Sequence, residues 1–181
     1  MEPAVQKPLR HSEIPITFSR EDQWTSFSEP GKFPLVLDPV VAGSILTRVL
    51  IDGGSGLNLI FMSTIMKMEL DIFDKLKPSK APFYGIVPAN ASFPIGTVVL
   101  QVTFGTPDNY RTELIKFEVA DFESSYHTIL GRPALAKFLA VPHYVYLLLK
   151  MSGKTGVLTF RRDLQKSPEC EKEAITYAST N

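Results

Sequence analysis

The chain has few of the residues that metal sites and disulfide frameworks require. Its one cysteine, Cys170, excludes a disulfide within the chain and cannot build a thiolate metal site. Its three histidines are scattered, at positions 11, 127 and 143, without the spacing of metal ligands. We therefore expect neither a metal ion nor another cofactor.

The chain also lacks an excess of charge and any long apolar run. Nineteen basic and nineteen acidic side chains cancel, so no net field attracts nucleic acid or an anionic membrane. The longest apolar stretches, such as residues 145–149, are far too short to span a bilayer, and the N-terminus has no basic-then-apolar signal pattern. The sequence predicts an intracellular, cytoplasmic protein that binds neither nucleic acid nor membrane.

What is present fits one folded domain with polar ends. A length of 181 residues with 44% hydrophobic content suffices for one core of ordinary size. Residues 1–30 are polar and contain four prolines, so we expect a poorly ordered linker with one short strand around Ile14 to Phe18. Residues 31–162 are predicted to form the domain, and residues 163–181 a polar tail.

Short β-rich runs separated by turn residues dominate residues 31–162. Turn chemistry favours one hairpin within residues 34–51 and another within residues 144–160. Two brief segments, residues 63–68 and 134–138, favour short helices. The predicted class is all-β, a small closed β-barrel with one or two short helices.

The most informative segment is residues 49–61, where Asp52 stands on a glycine-rich turn between two apolar runs. A carboxylate at the end of a buried strand is costly to desolvate unless a site uses it. Gly53, Gly54 and Gly56 lack Cβ atoms, so backbone amides or a ligand can approach the carboxylate closely. An ordinary Asp-Gly turn is the alternative, because such steps are common in hairpins.

A second segment, near residue 130, helps to interpret the Asp52 turn. Residues 127–133 read His-Thr-Ile-Leu-Gly-Arg-Pro, a short apolar strand that ends at Gly131. An apolar run into Asp-Gly followed by Ile-Leu-Gly-Arg resembles the paired signature of retropepsin-like aspartic proteases. The likeness extends to Ile16-Thr-Phe-Ser-Arg-Glu-Asp, Lys77-Pro-Ser-Lys-Ala-Pro-Phe-Tyr-Gly-Ile-Val-Pro and Ala136-Lys-Phe-Leu-Ala-Val-Pro-His-Tyr. The chain thus resembles the protease region of plant Ty3/gypsy-type LTR retrotransposon Gag-Pol polyproteins.

This resemblance implies an acid-protease (retropepsin) barrel and a role for each matching residue. It implies that Asp52 is catalytic and that the active-site loop is formed by Gly53, Gly54 and Ser55. The segment that supports this loop would be formed by Ile129, Leu130, Gly131 and Arg132. A flap over the bound peptide would include Tyr84, Gly85 and Ile86. The flap would be part of a hairpin of residues 81–87 and 93–104. A surface hairpin without a role in binding is the alternative.

Peptide hydrolysis by carboxylates needs two of them, one to take a proton from water and one to donate a hydrogen bond to the carbonyl oxygen. Only Asp52 stands between an apolar strand and a glycine turn; the other aspartates have polar or loop-like contexts. We therefore expect a homodimer in which each chain contributes Asp52, acting on a peptide or polyprotein substrate. Because the pair would share one proton, an acidic or mildly acidic pH optimum is expected.

Three positions depart from the family pattern. Gly53 stands where the family usually has Ser or Thr, whose hydroxyl bonds across the dimer axis. Gly56 replaces an acidic residue of many retroviral members, which leaves Arg132 without that partner, and Pro133 stands where Asp or Asn often follows. The dimer contacts are therefore expected to differ from those of the retroviral enzymes.

Two functions from different classes remain open. An aspartic endopeptidase that cleaves its own retroelement polyprotein is favoured by the retained Asp52. A catalytically degenerate module for dimerisation or interaction is favoured by Gly53. A third reading, a ubiquitin-pathway protein with a retropepsin domain, would need a further segment that neither terminus is long or patterned enough to supply.

Overall fold

The computed structural model describes residues 14–25, 29–79 and 94–162, which form mostly β-strands. These ranges contain two short helices, α1 (Met62–Lys67) and α2 (Arg132–Phe138), and one 3-10 turn at Arg20–Asp22. The strands, in chain order, are β1 (Val36–Leu37), β2 (Val40–Val41), β3 (Ser44–Ile45), β4 (Val49–Ile51), β5 (Leu59–Phe61), β6 (Gly96–Thr106), β7 (Asn109–Ala120), β8 (Thr128–Leu130), β9 (Val141–His143), β10 (Leu148–Ser152) and β11 (Val157–Arg161).

The larger sheet is curled into a barrel. It holds eight strands in the order β1-β4-β8-β5-β7-β6-β2-β3. In a flat sheet β1 and β2 would lie about 29 Å apart at about 4.8 Å per strand. Only Asp38 and Pro39 join them, and three residue steps span at most about 11 Å. The sheet must therefore curl until its two ends meet, which confirms the predicted fold class of a small β-barrel with short helices.

A long hairpin forms one side of the barrel. β6 pairs with β7 along its whole length, from Gly96 opposite Val119 to Thr106 opposite Asn109. Apolar residues of β6 alternate inward, with Val98, Val102 and Phe104 almost fully buried among the core residues. The strand predicted at residues 110–119 is present as β7, but the predicted wet face is not regular, since Arg111 and Glu118 are buried and Leu114 is exposed.

The flap hairpin expected from the sequence is only partly described. Its second strand was expected at residues 93–104 with residues 81–87 as its partner. Among the described residues, β6 pairs with β7 and β2, and its Thr97 forms an isolated bridge with Lys77; the predicted partner, residues 81–87, lies outside the described ranges.

Both predicted helices are present, but α1 begins without the predicted serine cap and α2 begins two residues before its predicted start. Ser63 was expected to cap the first helix, whereas α1 begins after Phe61, whose side chain makes no capping hydrogen bond. α2 begins directly after Gly131, with Pro133 in its first turn, where a proline is tolerated because its missing N–H has no intrahelical partner.

A smaller sheet in the order β11-β10-β9 packs beside the barrel, and the N-terminal segment is bound to it. The buried ammonium group of Lys150 on β10 donates to the Thr17 carbonyl oxygen at 2.7 Å and pairs with Asp22 at 2.8 Å. The indole N–H of Trp24 donates to the Tyr146 carbonyl oxygen at 2.7 Å. The prediction of a short strand around Ile14 to Phe18 is wrong, because the 3-10 turn is the only regular element in residues 14–25.

Candidate active site at the Asp52 loop

Asp52 follows directly from one of the best-buried strands of the barrel. Val49 and Ile51 of β4 are almost fully buried, and β4 runs parallel to β8, with Ile51 opposite Leu130. The backbone N–H of Asp52 donates to the Leu130 carbonyl oxygen at 2.9 Å. The carboxylate is therefore carried by two neighbouring strands and not by a free loop.

The Asp52 loop, residues 52–57, is closed by its own hydrogen bonds. Ser55 N–H donates to the Asp52 carbonyl oxygen at 3.2 Å, and Gly54 N–H donates to Asp52 Oδ1 at 2.9 Å. Asp52 is half-buried and Gly54 is exposed, so the carboxylate is held by a backbone donor at an accessible edge.

The hydroxyl of Ser55 is used within the loop. It donates to the Leu57 carbonyl oxygen at 2.7 Å and accepts from Leu57 N–H at 3.3 Å. In this arrangement Ser55 does not supply the hydroxyl that Gly53 lacks.

Gly131 lies against the backbone of this loop. A Cβ atom added at Gly131 would overlap the carbonyl oxygen of Leu57 and lie 2.7 Å from that of Ser55. The next residue, Arg132, donates its backbone N–H to the Ser55 carbonyl oxygen at 2.8 Å. The turn from β8 into α2 therefore supports the Asp52 loop through backbone contact, which only a glycine at position 131 allows.

The other supporting residues occupy different environments. Leu130 belongs to the main core, whereas Ile129 is half-buried and packs against a second small cluster of Leu59, Phe61 and Ala120. Arg132 is exposed and forms no ion pair with a carboxylate among the described residues. Its guanidinium lies beside Gly56, 3.5 Å from where a Cβ atom there would stand. Tyr84, Gly85 and Ile86, the expected flap residues, lie outside the described ranges.

Asn58 is a central residue of the site that the sequence analysis missed. Its buried side chain accepts from Gly131 N–H at 2.9 Å and Ala134 N–H at 3.2 Å, and it donates to the Lys116 carbonyl oxygen at 3.1 Å. One amide thereby joins the strand leaving the loop to the start of α2 and to β7. The available signal was a polar residue within the apolar run that leads from Leu57 to Phe61.

Tyr144 is the second residue that was missed. It lies in the turn between β9 and β10, and its hydroxyl accepts from Gly53 N–H at 2.7 Å and donates to the Ile51 carbonyl oxygen at 3.0 Å. Burial raises the pKa of the Tyr144 phenol above its ordinary value of 10.0; the Gly53 N–H opposes this rise and the Asp52 charge adds to it. The phenol therefore stays protonated at neutral and acidic pH and can serve as the donor to Ile51.

Within the three described ranges, no group of three or more His, Cys, Asp or Glu side chains is placed to hold a metal ion. In the same ranges neither helix has the length and apolar character needed to cross a bilayer.

Comparisons with known proteins give a likeness of structure only. No family model and no curated protein matches the sequence. Among solved structures, the retroviral protease-like domain of Ddi1 from Leishmania major is similar over 72% of this chain and 98% of its own, with a TM-score of 0.49 and 11% identity. A retropepsin-like aspartic protease from Rickettsia conorii is similar over 69% of this chain and 86% of its own, with a TM-score of 0.47 and 16% identity. The roles of residues in this chain therefore rest on its own contacts.

Proposed function

We propose that this chain is one half of an aspartic endopeptidase, completed when a second copy brings its own Asp52 to the same centre. The observation that carries the proposal is the fixed, half-buried Asp52. Its backbone is bonded to Leu130 and Ser55, and one of its carboxylate oxygens accepts from Gly54 N–H. A carboxylate that is held in place but accessible is what acid-base chemistry on an external substrate needs.

The chemistry requires two such groups. In the proposed dimer two Asp52 carboxyls about 3 Å apart would share one proton, because two adjacent charges repel too strongly to coexist. The ionised carboxylate would take a proton from water, and the protonated one would donate a hydrogen bond to the peptide carbonyl oxygen as the water attacks. This sharing favours activity at acidic or mildly acidic pH.

The proposed substrate is a peptide segment of a retroelement polyprotein, and the basis for this choice is the likeness of the sequence motifs. Tyr84, Gly85 and Ile86 would belong to a flap that closes over the bound peptide. Gly54 and Gly131 would, respectively, leave space at the carboxylate and hold the loop from beneath.

A second candidate function is a module that dimerises or binds partners without catalysis. Gly53 favours it, because this position carries no side chain to make a bond to a partner chain. A hydrogen bond lost at each side of a buried dimer centre could cost about 1 kcal/mol or more.

One experiment separates the two candidates. The purified chain is incubated with a peptide library at about pH 4 to 6, with and without pepstatin, beside Asp52→Asn and Asp121→Asn variants. Asp121 is an exposed carboxylate at the end of β7 and controls for the loss of one charge. The peptidase predicts cleavage that Asp121→Asn retains and that Asp52→Asn and pepstatin abolish.

Two outcomes would count against the peptidase. Cleavage that survives in Asp52→Asn would remove this residue from the mechanism. Absence of cleavage by the wild-type chain, at concentrations where sedimentation shows a dimer, would favour the module.

A further inference from the structure

The hydroxyl of Tyr144 forms hydrogen bonds to the backbone on both sides of Asp52. Tyr144 Oη accepts from the N–H of the residue after Asp52 and donates to the carbonyl oxygen of the residue before it, at 2.7 Å and 3.0 Å respectively. Both bonds come from a side chain 91 or more positions away in the sequence. The two peptide units around the carboxylate are thus fixed from outside the loop.

At Gly53 the neighbouring Tyr144 hydroxyl, and not the backbone conformation, limits the space for a side chain. Among the described glycines only Gly31, Gly43 and Gly105 have positive φ, so an L side chain can adopt the conformation at position 53. A Cβ atom there would lie 3.1 Å from Tyr144 Oη and 3.8 Å from Tyr144 Cε2. A Cβ atom at position 53 would therefore be in tight contact with the phenol, which would have to shift by a few tenths of an ångström.

The phenol is itself held in place. The Tyr144 ring is half-buried and packs against the main core. The turn that carries it is tied by Tyr146 N–H to His143 Nδ1 at 3.0 Å, and by the Trp24 indole to the Tyr146 carbonyl oxygen at 2.7 Å. A rigid support of this kind makes a hydrogen bond effective for positioning, because little freedom is lost when it forms.

We propose that Tyr144 is a positioning residue for Asp52, because its hydroxyl, carried by the turn between β9 and β10, holds the backbone on both sides of the carboxylate. The effect of Tyr144 on catalysis depends on the peptidase function proposed above. The contact between Tyr144 and the Asp52 loop is independent of that function. The loss of the hydroxyl should let the loop move and thereby misplace the carboxylate, and displacements of about 1 Å can reduce turnover by about 100-fold.

The test is a cycle of three variants with one control. Tyr144→Phe removes the hydroxyl and leaves Ile51 and Gly53 without their partner. Gly53→Ser forces a Cβ atom against the phenol. In the double variant the missing phenol oxygen leaves room for the serine, whose hydroxyl can bond locally. The control is Tyr146→Phe, which removes a hydroxyl from the same turn. The Tyr146 ring stacks on His143, with 4.0 Å between the ring centroids, so this variant does not touch the contact between Tyr144 and Gly53.

Two measurements distinguish a failure of this proposal from a failure of the peptidase function. The first is hydrogen exchange of the Gly53 amide, measured by NMR, which does not depend on activity. We expect exchange at least about tenfold faster in Tyr144→Phe and unchanged in Tyr146→Phe. The second is peptide cleavage, where each single variant should lower kcat by about 10- to 100-fold with a smaller change in KM, and the double variant should recover part of that loss.

The results of these measurements can contradict the positioning role of Tyr144 independently of the peptidase function. An unchanged Gly53 exchange rate in Tyr144→Phe would overturn the proposal, as would a double variant that is worse than both single variants in loop protection. If the wild-type chain cleaves nothing, the peptidase function fails, and the exchange rates alone still test whether Tyr144 holds the loop.

Discussion

Gly131 and Leu57 lie in backbone contact, so close that no Cβ atom fits between the Gly131 α-carbon and the Leu57 carbonyl oxygen. This contact joins the start of α2 to the Asp52 loop. We expect Gly131→Ala to lower the free energy of unfolding by about 3 kcal/mol, because the backbone itself must shift to admit a methyl group. Urea unfolding followed by circular dichroism measures this change.

Gly56→Ala is the matched control for that substitution. It adds a methyl group on the other side of the same contact region, within the Asp52 loop itself, but its nearest neighbour is the end of the flexible Arg132 side chain at 3.5 Å. We expect its effect on unfolding to stay within about 1 kcal/mol. Equal effects of the two substitutions would show that the loop does not depend on the Gly131 contact.

Asn58 should contribute strongly to stability for a different reason. Asn58→Leu keeps a similar volume but leaves the Gly131 and Ala134 amides and the Lys116 carbonyl oxygen without their side-chain partner. Each buried group left unsatisfied costs about 1 to 3 kcal/mol, so we expect a loss of about 3 kcal/mol after partial relaxation. Thermal unfolding checks the result, and a melting temperature equal to that of the wild type would contradict this role.

His127 should make stability depend on pH. Burial is the main cause that lowers its pKa below the ordinary 6.5; the charges of Lys67 and Arg48 add to this, and the Thr47 carbonyl and Asp38 oppose it. The unfolded chain therefore binds a proton at higher pH than the folded chain does. The stability contributed by neutral His127 is complete above pH 6.5 and is lost as pH falls toward the lowered pKa of the folded state.

A replacement of His127 tests this dependence. Melting temperatures of the wild type and of His127→Gln are compared between about pH 7.5 and about pH 5.5, a window in which few carboxylates titrate. We expect the wild type to lose stability on acidification and the variant to lose less. Equal slopes in the two proteins would remove His127 as the cause.

The sequence predicts the parts of the site that local patterns encode. The apolar run into Asp52 and the Ile-Leu-Gly of residues 129–131 are local strand-and-turn patterns, and the structure places both in neighbouring parallel strands. Asn58 and Tyr144 could not be assigned in the same way, because their partners lie 73 and 91 positions away and no periodicity marks them. In the sequence Gly53 stands out only as the absence of a Ser or Thr, whereas the fold shows that the Tyr144 phenol lies against it and accepts its N–H.

In the proposed peptidase, one catalytic centre takes an Asp52 from each of two chains. Subunit mixing tests it most directly: wild-type chain at a fixed amount is equilibrated with increasing Asp52→Asn chain, and peptide cleavage is measured. Mixed dimers would hold one carboxylate, so an equal mixture should show about half the activity per wild-type chain, and a large excess of the variant should abolish it. Activity per wild-type chain that stays constant at every ratio would contradict a shared centre.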